Sequence, residues 1–240
     1  MRISTSTVLT AFMALAASGT ARAASLQVSP VMVEIAAPGA AATLKLRNEG
    51  AAPIHAQIRV FRWSQANGED KLEPTTDVVA SPPLATLAPK ADYTVRLVRV
   101  SKTPVAKEET YRLFVDELPD AAGQRNRTVN LVLRYSIPVF FYHSDVAPPK
   151  LAWSVDQSSG KLSVVAKNSG DRHMRISALK LRDGSGATVS FGNGLTGYVL
   201  GGSSMRWAAP PGSRLTAGHP IVISAQGDLG PINDSAQGAR

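Results

Sequence analysis

Beyond its first two dozen residues the chain is a succession of short β-rich runs divided by turn residues, with almost no helical periodicity. Leu26–Ile35, Ala42–Asn48, Ile54–Trp63, Asp92–Val100, Tyr111–Leu118 and Val129–Phe141 read as strands. Pro38-Gly39, Asn48-Glu49-Gly50, Asn67-Gly68, Pro82-Pro83 and Gly123 punctuate them. Asp145-Val146-Ala147-Pro148-Pro149 then makes a Pro-rich elbow. A second set follows: Leu151–Val155, Lys161–Asn168, His173–Leu181, Thr188–Phe191, Gly197–Leu200, Ser204–Ala208 and Pro220–Ser224. From about Gly227 the chain is small and polar, and a frayed end is expected. The pattern predicts an all-β protein of two immunoglobulin-like β-sandwich domains, 24–145 and 146–240.

The opening residues do not belong to that pattern. Arg2, the apolar run Val8 to Ala17 and Ala21-Arg22-Ala23 read as a signal peptide spanning 1–23, which predicts export. That run is too short to span a bilayer, so no direct membrane insertion is expected. The chain has no cysteine, so its two cores must hold without disulfides, and thiol catalysis and metal–cysteine sites are excluded. The formal charge of +8 includes Arg2 and Arg22, and the remaining Lys and Arg residues are scattered rather than clustered. Only 6% of residues are aromatic, so the charge comes without a stacking motif and no nucleic-acid partner is expected.

Nothing in the sequence assembles a catalyst. The histidines His55, His143, His173 and His219 lie far apart, none at metal-ligand spacing. His173 in "GDRHMRIS" reads as a surface or satisfied residue. Asp116 and Glu117 are neighbours on one strand, hence on opposite faces, which does not suit paired acid–base work. "GNGLTG" at 192–197 lacks the helix that would make it a phosphate loop. The expectation is a protein that is not an enzyme and uses no metal or other cofactor.

"LQVSPVMVEI", "LKLRNEG", "SPPLATLAPKADYTVRLVRV", "YRLFVDELP" and "LRYSIPVFF" occur in the order found in the periplasmic chaperones of the chaperone–usher pilus pathway, which the chain resembles over its whole first domain. The resemblance implies two immunoglobulin-like domains in an L or boomerang arrangement and a periplasmic location. It also implies a mechanism of β-strand addition: a pilus subunit lacks one strand, and the chaperone lends its own. The lent strand maps to Val129, Leu131 and Leu133, with Tyr135 and Ile137 continuing that face. Each such side chain contributes roughly 1.5–3 kcal/mol when buried. The same alternation also suits an ordinary sandwich core, a reading the pattern leaves open.

Well-known members anchor the subunit's C-terminal carboxylate with a basic pair whose positions here hold Pro30 and Pro138. The "IPVFF" ending is similar to the divergent archaic, spore-coat-U-associated branch, where a basic residue on a neighbouring strand would take over. Arg112, opposite in parity to Tyr111 and Leu113, is the first candidate and Arg134 the second; a solvated surface arginine is the alternative for each. The short link Asp120 to Arg127 resembles that of short-loop members, and Ser81-Pro82-Pro83 resembles the family's proline-marked turn, where one bond is expected cis. Implied partners are pilus or fimbrial subunits and an outer-membrane usher. An exposed apolar strand would also encourage self-association of the free protein. The competing reading is a secreted two-domain β-sandwich adhesion or structural pilus protein, a class that usually displays aromatic platforms. Trp63, Trp153 and Trp207 lie in distant segments.

Overall fold

The computed structural model describes residues 25–119, 132–158, 160–216 and 218–236, and every described element is a strand. The expected signal peptide and the Asp120 to Arg127 link lie outside these residues, as do Val129 and Leu131. The first sandwich comprises β1 (Leu26–Ser29), β2 (Val33–Ala36), β3 (Ala41–Asn48), β4 (Ile54–Ala66), β5 (Glu69–Pro74), β6 (Val78–Ser81), β7 (Leu84–Leu87), β8 (Asp92–Arg99), β9 (Glu109–Leu118) and β10 (Arg134–Tyr142). One sheet runs β1-β3-β8-β6, the other β2-β10-β9-β4-β5 with β7 also on β4. Their inner faces follow the period of two: Leu44, Leu46, Val95 and Leu97 meet Ile54, Ala56, Ile58, Tyr111, Leu113 and Val115 in one core.

The run Leu26–Ile35 is not one strand. β1 pairs antiparallel with β3, and β2 pairs parallel with β10 in the opposite sheet. Pro30 offers no donor to continue a ladder, so the chain changes sheets at that point. Leu26, Val28, Val33 and Ile35 all remain buried, which is why the run reads as continuous. β6 and β7 repeat the device across Pro82-Pro83. The Ser81–Pro82 bond is cis, as expected of one bond there; Ser29–Pro30 and Ala37–Pro38 are cis as well. Asn67 and Gly68 have φ of 58° and 81°, which makes the tight hairpin that sets Gln65 opposite Asp70.

The second sandwich comprises β11 (Leu151–Ser158), β12 (Lys161–Asn168), β13 (Met174–Asp183), β14 (Thr188–Ser190), β15 (Leu195–Val199), β16 (Ser204–Ala208), β17 (Ile221–Gly227) and β18 (Gly230–Ala236). Its sheets run β11-β12-β16 and β14-β13-β17-β18, with β15 also on β13. The expectation of a frayed end is corrected at β18, which pairs with β17 from Gly230 to Ala236. Ile232 packs on the core and Ala236 is buried, but the intervening Asn233, Asp234 and Ser235 disguise the strand. Trp153 and Trp207, distant in sequence, lie 6.4 Å apart against this core.

Both domains end a central strand on a fully buried asparagine followed by X-Gly. Asn48 Nδ2 donates to the Ala52 and Leu87 carbonyls, and its oxygen accepts from Gly50 N–H. Asn168 Nδ2 donates to the Arg172 and Val199 carbonyls, and its oxygen accepts from Lys150 and Gly170 N–H. A Cβ at Gly170 would stand 2.0 Å from the Pro148 oxygen, so that turn requires glycine. Replacing either asparagine by alanine strands several backbone groups. Urea unfolding should show each variant about 2–4 kcal/mol less stable; a loss below about 0.5 kcal/mol would contradict this role.

Candidate functional site

β10 is paired to β9 along its whole length, from Arg134↔Asp116 to Phe141↔Glu109. On its other side β2 covers only Val139–Tyr142, and among the described residues nothing pairs with the stretch before it. Glu117 N–H donates to the Leu133 carbonyl at 2.9 Å. The antiparallel alternation then turns the backbone groups of Tyr135 and Ile137 towards β9. Those of Arg134 and Ser136 face the uncovered edge. Pro138, where that edge meets β2, has no N–H to leave unpaired.

Of the five residues mapped to the lent strand, three are described. Ile137 is 2% exposed in the protein's own core. Tyr135 is half-buried against the same core, and its hydroxyl donates to the Leu26 carbonyl. Leu133, half-buried, packs at the core's rim, while Val132 before it is 45% exposed. The apolar face therefore turns inward progressively from Leu133 to Ile137.

Arg112 projects from β9 on the opposite face, directly across from Pro138 and Phe61. Its guanidinium carbon stands 3.7 Å from the centre of the Trp63 ring and 5.1 Å from that of Tyr198 in the second domain. It points out of the first core, as parity requires, but the second domain covers it. Burial pushes the guanidinium below its ordinary value, and the charge of Asp70 partly offsets this. Among the described residues no carboxylate lies within 4 Å of it. A cation held in this way is short of solvent and of a counter-charge, so an anion entering the cleft would meet a prepared fork.

Arg134 is placed differently. It is paired with Asp116, which also accepts from Arg59 at 2.6 Å, and it covers Phe114 at 5.3 Å. Burial raises the Asp116 carboxyl, but the bonds from Arg134 and Arg59 outweigh it and hold the group below the usual carboxylate range. Arg112 and Arg134 thus share a face of the sheet without meeting.

The cleft around Arg112 is walled by residues that sequence reasoning did not single out as a group. Trp63, Phe140, Tyr198 and Leu200 form a buried cluster with Met32 beside it. His173, the lone histidine, stacks on Phe140 at 3.6 Å, and its Nδ1 lies 2.8 Å from Glu108 Oε2. It is a satisfied interdomain residue. Arg172 pairs with Glu34, and Lys107 with Asp171, across the same seam. Gln65 acts as a rung: its Nε2 donates to the Tyr198 carbonyl, and its Oε1 accepts from Leu200 N–H, both at 2.9 Å. These contacts join residues more than 30 positions apart, which no local pattern reveals. Among the described residues no group of three His, Cys, Asp or Glu side chains is placed to hold a metal.

Residues 25–146 match the family model for pili and flagellar-assembly chaperones, PapD N-terminal domain. The chain is similar to one in the chaperone–tip adhesion subunit pre-assembly complex CsuC–CsuE, from archaic chaperone-usher Csu pili of Acinetobacter baumannii. Identity is 28%, 90% of this chain and 100% of that one are covered, and the TM-score is 0.70. Similarity of fold extends to the Pseudomonas aeruginosa CupB2 chaperone, with 16% identity, coverage of 89% and 100%, and a TM-score of 0.56. It extends also to the Salmonella enterica SafA pilin–SafB chaperone complex, with 19% identity, coverage of 88% and 95%, and a TM-score of 0.59. No curated protein matches the chain significantly in sequence.

The depressed Asp116 carboxyl gives its cluster a defined acid response. Its stabilising contribution is complete above about pH 4 and is lost as pH falls further. Asp116→Asn should therefore be less stable than the parent at pH 7, with the difference smaller at pH 3. Chemical denaturation at both pH values tests this, and a difference that persists undiminished in acid contradicts it.

Proposed function

The chain belongs to the pili and flagellar-assembly chaperones, and on that premise we propose that it is a periplasmic chaperone completing pilus subunits by strand donation and passing them to an outer-membrane usher. The observation that carries this reading is the half-covered β10, with the groups of Arg134 and Ser136 unpaired among the described residues beside an apolar face. Backbone pairing of this kind tolerates sequence variation in the guest, while Leu133 and the preceding Leu131 and Val129 supply the apolar contacts.

The covered end also favours one direction for the guest. β2 runs parallel to β10 and begins beside Val139. A guest strand parallel to β10 would lie in line with β2 and end near Pro138, across from Arg112. Its C-terminal carboxylate would then meet the desolvated guanidinium. In the antiparallel sense an ammonium would arrive there instead, against a like charge. Arg112 is accordingly the carboxylate anchor in this reading; Arg134 already holds Asp116. An adhesive role has less support, since Trp63 is buried and Trp153 and Trp207 pack with the second core.

Ser136→Pro removes a donor from the uncovered edge and none from the β9 ladder. The variant should keep the parent's thermal stability to within a few degrees, yet recover at least about tenfold less of a co-expressed pilus subunit. Undiminished recovery would contradict strand donation at this edge.

A further inference from the structure

The Arg112 seat depends on a residue that touches neither guest nor guanidinium. Asp70 lies on β5, an edge strand whose side chains are all exposed. A charge there would ordinarily be a solvated surface group. Yet Oδ1 of Asp70 accepts two hydrogen bonds, from Trp63 Nε1 at 2.9 Å and from Gln65 Nε2 at 2.8 Å. Trp63 is the ring beneath the guanidinium, and Gln65 is the rung to the backbone of Tyr198 and Leu200. One carboxylate oxygen therefore tethers the floor of the seat and the arm that holds Tyr198 over it.

The hairpin explains how Asp70 comes to be there. Two consecutive positive φ angles at Asn67 and Gly68 close the tightest turn available, which sets Gln65 directly opposite Asp70 and Trp63 opposite Leu72. Trp63, Gln65 and Asp70 share a face, with Trp63 diagonal to Asp70. The indole has a single donor, and Asp70 is the acceptor that fixes where that edge of the ring points. A guanidinium stacked on a ring follows that ring, because the attraction is to its face.

We infer that Asp70 is a positioning residue for carboxylate recognition, acting through Trp63 and Gln65 to hold Arg112 in its fork geometry; this rests on the reading of Arg112 as a carboxylate seat. The requirement is for a hydrogen-bond acceptor at this point. The negative charge is not needed, and indeed faces the same cation as the guest. An asparagine in place of Asp70 would supply the acceptor without the charge, whereas an alanine would supply neither.

The mature chain, titrated with N-acetylphenylalanine and followed by the Trp63 indole N–H resonance in NMR spectra, tests this. The parent should show a saturable shift that N-acetylphenylalaninamide does not produce, and Arg112→Ala should abolish it. Asp70→Ala should move the indole resonance in the free protein and weaken binding about fivefold, and Asp70→Asn should bind at least as tightly as the parent to within about twofold. Parent-like affinity in Asp70→Ala, or Asp70→Asn as weak as Asp70→Ala, would overturn the positioning role. Loss of acid-over-amide selectivity in the parent, or its survival in Arg112→Ala, would instead overturn the carboxylate seat itself.

Discussion

A β-strand buried on one face and unpaired along one edge must be covered, blunted or used. In this chain the change of sheet at Pro30 decides which. Because the first strand leaves its sheet there, its second half reaches β10 only from Val139 onward, and among the described residues the groups of Arg134 and Ser136 stay uncovered. Were the run from Leu26 to Ile35 one unbroken strand, it would lie wholly in one sheet. The uncovered edge, the parallel sense imposed on anything extending β2, and the meeting point at Pro138 all follow from that interruption.

The second constraint is electrostatic. A guanidinium between Trp63 and Tyr198, each from a different domain, has lost water without gaining an ion pair among the described residues. Such a group is costly unless something supplies the missing charge. Both sandwiches are needed to create it, and the seam that joins them is built for rigidity. An aromatic cluster is flanked by the Glu108–His173, Glu34–Arg172 and Lys107–Asp171 pairs and by the Gln65 rung. In the proposed function, a guest strand ending at the cleft would present its carboxylate there.

Local pattern made the all-β class, most strand positions and the outward parity of Arg112 legible, because the period of two and the Gly and Pro punctuation are local signals. It merged Leu26 to Ile35, because each half alternates buried and exposed residues; the buried positions shift from Leu26 and Val28 to Val33 and Ile35 as the chain changes sheets. It missed β18, whose apolar contacts are limited to Ile232 and Ala236. It also could not show that the apolar parity of β10 turns inward by Ile137, since twist relative to the second sheet is a property of the assembled sandwich. The interdomain seam was invisible for a related reason. Glu108 and His173, or Gln65 and Tyr198, become neighbours only when two independently patterned domains dock.

Amide hydrogen exchange, compared between the free protein and the protein loaded with a pilus subunit, tests the central claim most directly. Ladder formation along the uncovered edge requires the Arg134 and Ser136 N–H groups to slow markedly on loading, while those of Tyr135 and Ile137, already bonded to β9, change little. Unchanged exchange at Arg134 and Ser136, with protection appearing on another surface, would contradict strand donation by β10.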